Sequence, residues 1–321
     1  MQGVVLAAGR GERLRPITLT RSKAMAPVVG RPIAERVMET LVANGVDDIV
    51  LVVSPDDDEI IRYFQQESDI GARVRFIPQP ERLGMAHALQ CAAPLIESDF
   101  ILSACDNLVS EEHVGRILAA YNDASHPNGV LTLMLVEPAQ VTKGGIVAID
   151  GPWVTRIVEK PTPEEAPSNI YSLPLYCLSS RILDYLADVR PSPRGKYELQ
   201  DAIQMLIDRD GYVRGVTIAS RLALTNPEDL LAINRHYLAI SGDRAPFAPR
   251  SVGRYTKLLP PLCIEPGTAI GAHCTIGPNV CVERDCQIGD WVTVQDAIIL
   301  RGSTVPDGTT LHEQVIAPVD D

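Results

Sequence analysis

Residues 4–18, Val4-Val-Leu-Ala-Ala-Gly-Arg-Gly-Glu-Arg-Leu-Arg-Pro-Ile-Thr18, run an apolar segment straight into a loop rich in glycine and arginine. Residues 4–8 include no polar side chain, as a strand buried on both faces of a parallel sheet requires. Gly9 and Gly11 let the backbone bend so that successive N–H groups face one side, an anion-binding nest. Arg10, Arg13 and Arg15 share that loop, and Lys23 follows. The loop is not a Walker A sequence, because no Gly-Lys-Ser/Thr closes it. Nor is it the dinucleotide fingerprint, because Leu14 stands in the place of the third glycine.

Outward from this loop, apolar runs at 49–53, 74–77, 100–103 and 129–136 are separated by helical patterns, among them Ile33, Val37, Met38, Leu41, Val42 and residues 111–120. Strands joined by helical crossovers predict an α/β domain with a Rossmann-like, mostly parallel sheet. Residues 145–158 differ: two apolar stretches flank Asp150-Gly151-Pro152, the signal of an antiparallel hairpin. After a helical stretch at 228–238 the chain turns rich in Gly, Pro and Ser, which predicts a linker over 241–256. Beyond it Ile264, Ile270, Ile276, Val282, Ile288, Val294 and Leu300 recur at intervals of six, with glycines at 271, 277 and 289. That is the hexapeptide signature of a parallel β-helix. The expected organisation is a domain over 1–240, the linker, and a short left-handed β-helix over 257–321 with little more than two coils.

With 29 Lys and Arg against 41 Asp and Glu, the 321-residue chain carries a net charge of −12. A general nucleic-acid binder needs a basic face to displace phosphate counterions, so that class is excluded. Yet residues 1–31 hold Arg10, Arg13, Arg15, Arg21, Lys23 and Arg31 against Glu12 alone. No apolar run approaches the ~18 residues of a membrane span, and the seven cysteines contain no Cys-x-x-Cys pair. Buried reduced thiols, a cytoplasmic location and no membrane partner are the expectations.

In its order of glycines, arginines, Lys23 and Pro27-Val28, the opening segment resembles the signature of the sugar-1-phosphate nucleotidylyltransferases, L-x-A-G-x-G-x-R-L-x-P-x-T followed by a Lys before a Pro. The resemblance extends over about residues 1–240, and a hexapeptide-repeat C-terminus is a known partner of this domain. It implies nucleotide binding by Leu6, Ala8, Gly9 and Gly11, with Arg13 and Lys23 as the catalytic cations. Gln79 in Ile77-Pro-Gln-Pro80 and Gly84 in Leu83-Gly-Met match the base pocket. An amide can both donate to and accept from the edge of uracil or thymine. Asp106 in Cys105-Asp-Asn107 matches the family's Mg²⁺ ligand, at the carboxyl end of a strand where ligands bind in open α/β sheets. Gly145, Glu159, Lys160 and Ser172 match the sugar-phosphate half of the site, although Ser172-Leu-Pro-Leu-Tyr departs from the family's Asn-x-Gly-Ile-Tyr.

Arg221-Leu-Ala-Leu-Thr-Asn-Pro-Glu-Asp-Leu230 departs furthest from the family's W-x-D-x-G-T-P-E-D-L. Ala223 stands where the second Mg²⁺ ligand belongs, leaving Asn226 as a substitute donor. The implied reaction joins UTP or dTTP to a sugar 1-phosphate such as glucose 1-phosphate, with release of pyrophosphate. Alternatives are a regulatory subunit that kept the fold and a bifunctional enzyme with acyl transfer on the β-helix, for which His273 and His312 are available. A homo-oligomer assembled through the β-helix or a sheet edge is expected.

Overall fold

The computed structural model describes residues 1–318. They form two compact units, one of Met1–Gly9 and Ala34–Arg221, the other of Arg10–Ile33 with the chain from Leu222 onward.

The first unit is built on a nine-stranded sheet. Its order is Arg73–Pro78, Asp48–Val53, Gln2–Leu6, Phe100–Ala104, Ile170–Leu178, Gly129–Leu135, Val213–Thr217, Trp153–Glu159, Gly145–Asp150. The first four of these strands pair in parallel, as their uninterrupted apolar runs predict. In the other half Ile170–Leu178 lies antiparallel to both neighbours, and Val213–Thr217 is parallel to Gly129–Leu135. The hairpin forms as expected, with Gly145 paired to Glu159.

Alternate side chains feed the two faces. Val4, Val50, Phe100, Leu102, Leu131 and Leu133 pack with Leu89, Ile182, Leu199 and Ile203 from the helical segments in one core. Between Leu131 and Leu133, Thr132 Oγ1 instead meets His113 Nε2 of helix Glu111–Tyr121 at 3.0 Å. Ser110 caps that helix by accepting from the His113 N–H, which explains where it begins. All seven cysteines are free thiols and six are buried. Among the described residues no helix is long and apolar enough to cross a membrane.

The second unit contains three parallel four-stranded stacks, the faces of the β-helix that the hexapeptide repeat predicts. Ile264, Ile270, Ile276, Val282, Ile288 and Val294 fill its interior. Two features differ from the sequence reading. The ladder begins within the expected linker, where Ser251–Val252 pairs with Ala269–Ile270, and it continues to Val315–Ile316. Each stack therefore has four layers rather than little more than two. Val252 and Leu258 prolong the six-residue series backward, hidden among the Gly, Pro and Ser residues around them. The last coils are also one residue shorter: Ile270 pairs with Ile288, eighteen positions on, but Ile288 pairs with Val305, seventeen on. Ile299, not Leu300, consequently stacks on Val282.

Candidate active site

The carboxyl end of strand Gln2–Leu6 carries the first group of expected residues. Leu6 O accepts from Cys105 N at 3.1 Å, which seats the Cys105-Asp106 turn beside it. Ala8 O accepts from Arg82 Nε at 2.9 Å, while Arg82 Nη2 donates to Ser54 Oγ at 2.6 Å. Gly9 follows in the open, with space around its Cα. Arg82 has no motif of its own in the sequence, yet it ties three strand ends together.

Gln79 is buried, and its amide donates to Gly84 O at 3.1 Å and lies 3.1 Å from His87 Nδ1. Gly84 has φ of 116°. A side chain there would collide with the Tyr197 backbone, whose carbonyl accepts from Ala86 N. The glycine is thus required by the chain segment packed against it.

The hairpin and helix Leu199–Asp210 assemble the second group. A Cβ on Gly145 would stand 3.1 Å from Gln200 Cγ and 3.4 Å from Glu159 Oε2. Glu159 is nearly buried; its Oε1 lies 3.5 Å from Arg194 Nη2, and its Oε2 has no hydrogen-bond partner among the described residues. Burial, reinforced by Glu198, raises the pKa of Glu159 against the opposing charges of Lys160 and Arg194. Burial and Glu198 raise that of Asp201 too. Glu198 Oε1 accepts from both Arg194 and Ser192 at 2.9 Å. Lys160, beyond the strand, is exposed and has φ of 45°, its N–H bonded to Gly144 O. Ser172 is buried and donates to the Tyr176 hydroxyl at 3.1 Å. Ser192, Arg194, Glu198, Gln200 and Asp201 were not singled out from the sequence, since nothing in their spacing relates them to Glu159.

Asp106 sits half-exposed in the turn after Phe100–Ala104. Beside it Asn107 is buried, and its Oδ1 accepts from Arg221 Nη1 at 2.6 Å. Among the described residues no three His, Cys, Asp or Glu side chains converge as a metal cage. Mg²⁺ keeps several waters and takes one or two carboxylates plus substrate phosphates. A single aspartate therefore fits a metal that arrives with a nucleotide.

The second unit holds the rest. Gly11 has φ of 64°, and a Cβ there would meet Lys23, Thr18 and Leu14 at 3.0–3.1 Å. Gly11 O accepts from both Leu14 N and Thr18 Oγ1. Leu14, Ile17, Ala24 and Met25 are buried, so Arg13 and Arg15 point outward from an ordered loop. Asn226 serves a different end: its side chain accepts from Asp229 N at 2.8 Å and caps helix Pro227–Ser241, completing a capping box. His273 is stacked between Tyr255 and Trp291, with ring centroids 5.0 and 4.0 Å away. His113 is buried and its pKa is lowered to about 4 by burial and Arg116, so it stays neutral.

Residues 2–223 match the family model described as nucleotidyl transferase, and residues 258–319 match that of the GMPPB C-terminal domain. The chain is 32% identical over 325 residues to a glucose-1-phosphate thymidylyltransferase of Streptomyces griseus, covering 95% of this chain and 88% of that one. It is 33% identical over 231 residues to the UTP–glucose-1-phosphate uridylyltransferase AglF of Haloferax volcanii, covering 71% and 93%. Among solved structures, a UTP-bound UGPase from Acinetobacter baumannii superimposes with a TM-score of 0.66 at 26% identity, covering 75% and 94%.

Proposed function

The chain belongs to the nucleotidyl transferase family, and on that premise we propose that it transfers a uridylyl or thymidylyl group from UTP or dTTP to glucose 1-phosphate or a related hexose 1-phosphate. The observation that carries this reading is the 32% identity to a glucose-1-phosphate thymidylyltransferase across nearly the whole chain. The buried, unpartnered Glu159 Oε2 beside Gly145 supports it, since a sugar hydroxyl would satisfy that oxygen.

A phosphate monoester has its second pKa near ~6, so the sugar phosphate is mostly dianionic at neutral pH. It needs no general base. Its oxygen attacks the α-phosphorus, a new P–O bond forms, and the bond to the β-phosphate breaks as pyrophosphate leaves. The chain's task is to hold two anions in line and stabilise the charge that develops. Backbone N–H groups around Gly9 and Gly11 suit the triphosphate; Arg13 and Lys23 suit the α-phosphate and the leaving group. Leu6, Ala8, Gln79 and Gly84 form the nucleotide side, Gly145, Glu159, Lys160 and Ser172 the sugar-phosphate side. Asp106 would hold Mg²⁺, which supplies charge neutralisation on the phosphates. Asn226 is left to its helix.

In this reading the transferase domain of 1–240 acts in the cytoplasm, and the β-helix, whose ladder starts at Ser251 within the expected 241–256 linker, carries homo-oligomer contacts; the last three residues of the expected 257–321 lie outside the described residues. The separate family matches at 2–223 and 258–319 support that organisation. Pyrophosphate release from purified protein over a matrix of UTP, dTTP and sugar 1-phosphates tests the function directly. Ala223, in place of the second metal-binding aspartate, favours one other reading, a regulatory subunit without catalysis. An empty matrix would establish it.

A further inference from the structure

Arg21 lies two residues before Lys23, in the loop that bears Gly11 and Arg13. Its guanidinium is almost wholly buried, with the side chain 2% exposed, and Nη1 donates to Glu283 Oε1 at 2.6 Å. Glu283 directly follows the β-helix strand Val280–Val282. Its other oxygen accepts from Arg301 N at 2.9 Å, and its carbonyl accepts from Thr268 Oγ1 at 2.9 Å. Arg301 in turn reaches back, Nη2 donating to Thr20 O at 3.0 Å.

The far side of Lys23 is tied down as well. Asn234 Nδ2 donates to Pro27 O at 2.9 Å, and Asn234 Oδ1 accepts from Val29 N at 2.9 Å. The same oxygen accepts from Cys281 Sγ at 3.2 Å, on the β-helix strand Val280–Val282. Lys23 thus sits on a short span held at both ends by residues from the last third of the chain.

This anchor is an odd choice for stability alone. Among the described residues, Arg21 Nε and Nη2 are buried with no hydrogen-bond partner. Burying charges costs desolvation energy that a half-satisfied guanidinium recovers poorly, and apolar residues of similar volume often do as well or better. What a buried ion pair supplies is a fixed register between the segments it joins.

We propose that the β-helix is a working part of the nucleotide site: Glu283, acting through Arg21, positions the loop that presents Gly11, Arg13 and Lys23. Arg21 and Glu283 are positioning residues, and the inference rests on the transferase reading above.

Two full-length variants test it, Glu283→Gln and Arg301→Ala. The second removes a surface contact and keeps the test open where the first fails to fold. Expected are a tenfold or greater fall in kcat/KM for the nucleoside triphosphate in Glu283→Gln and a two- to fivefold fall in Arg301→Ala, with KM for the sugar 1-phosphate within twofold of wild type. Hydrogen–deuterium exchange should quicken over residues 10–33 in both folded variants, while residues 287–296 keep wild-type rates. Unchanged loop exchange overturns the anchor, as does an equal loss toward both substrates. A wild-type chain that releases no pyrophosphate overturns the transferase reading instead, and exchange still decides the anchor.

Discussion

Glu159 and Gly145 are direct partners across the antiparallel hairpin, and a methyl group on residue 145 would stand 3.4 Å from Glu159 Oε2. Among the described residues nothing hydrogen-bonds that buried carboxylate oxygen, and the space at residue 145 is already tight against Gln200 and Glu159. Gly145→Ala should crowd Gln200 and the carboxylate, and Glu159→Gln should weaken the acceptor. A hydrogen bond to a charged group contributes about 1.5–3 kcal/mol, so KM for the sugar 1-phosphate should rise roughly ten- to hundredfold in Glu159→Gln. In both variants KM for the nucleotide should hold. Initial-rate kinetics with each substrate varied in turn checks the split.

Arg13 is exposed and Lys23 half-exposed on an ordered loop. Truncating either should therefore leave folding intact and act on the reaction. Loss of one preorganised charge-stabilising group costs about 2.7–4 kcal/mol of barrier, so Arg13→Ala and Lys23→Ala should lose at least ~100-fold in kcat/KM. Near wild-type rates in either, with thermal unfolding unchanged, would remove that residue from the mechanism.

Asn226 caps helix Pro227–Ser241 through Asp229 N. Asn226→Ala should lower stability by about 1 kcal/mol, the usual worth of such a cap. The Mg²⁺ concentration needed for half-maximal activity should not move. A large increase in that concentration would instead make Asn226 a ligand.

Glu265 is half-buried beside Glu283, with Arg284 and Arg21 nearby, and burial together with Glu283 raises its pKa to about 7. A raised carboxyl favours the protonated form in the folded state. Its contribution is intact below the unfolded value near ~4.5 and is lost as pH climbs through 7. Glu265→Gln should therefore match wild type near pH 5 and exceed it by about 1–3 kcal/mol at pH 8. Denaturant unfolding at the two pH values measures this, and equal gains at both would contradict it.

Much of the fold was legible because local pattern and burial agree. The run at 49–53 and strand Asp48–Val53 coincide within a residue, and Asp150-Gly151-Pro152 turns the hairpin as read. The coil count was not legible. Fixed six-residue spacing cannot reveal that the turn between Val294 and Ile299 is one residue short, because Leu300 is equally aliphatic and also buried. In the site, loop glycines and cations were visible as a local cluster. The carboxylate beside Glu159 was not, since Glu198 precedes a helix farther along the chain and meets it only through the fold. Gly84 was visible for a partly different reason: its missing side chain makes room for Tyr197.

Arg21 and Glu283 are separated by 262 residues, which sets an order of events during synthesis. A ribosome adds about 5–20 residues per second, so roughly 13–50 s pass between the emergence of the two halves of this ion pair. Over that interval the parallel strands of the first sheet can already pair, since Gln2–Leu6, Asp48–Val53 and Phe100–Ala104 lie within the first third of the chain. The loop between them has to wait for its anchor, a contact of very high sequence separation and correspondingly slow closure. The nascent chain thus pairs these parallel strands early and anchors the loop of residues 10–33 last, and a prematurely terminated product would fold around an unanchored loop.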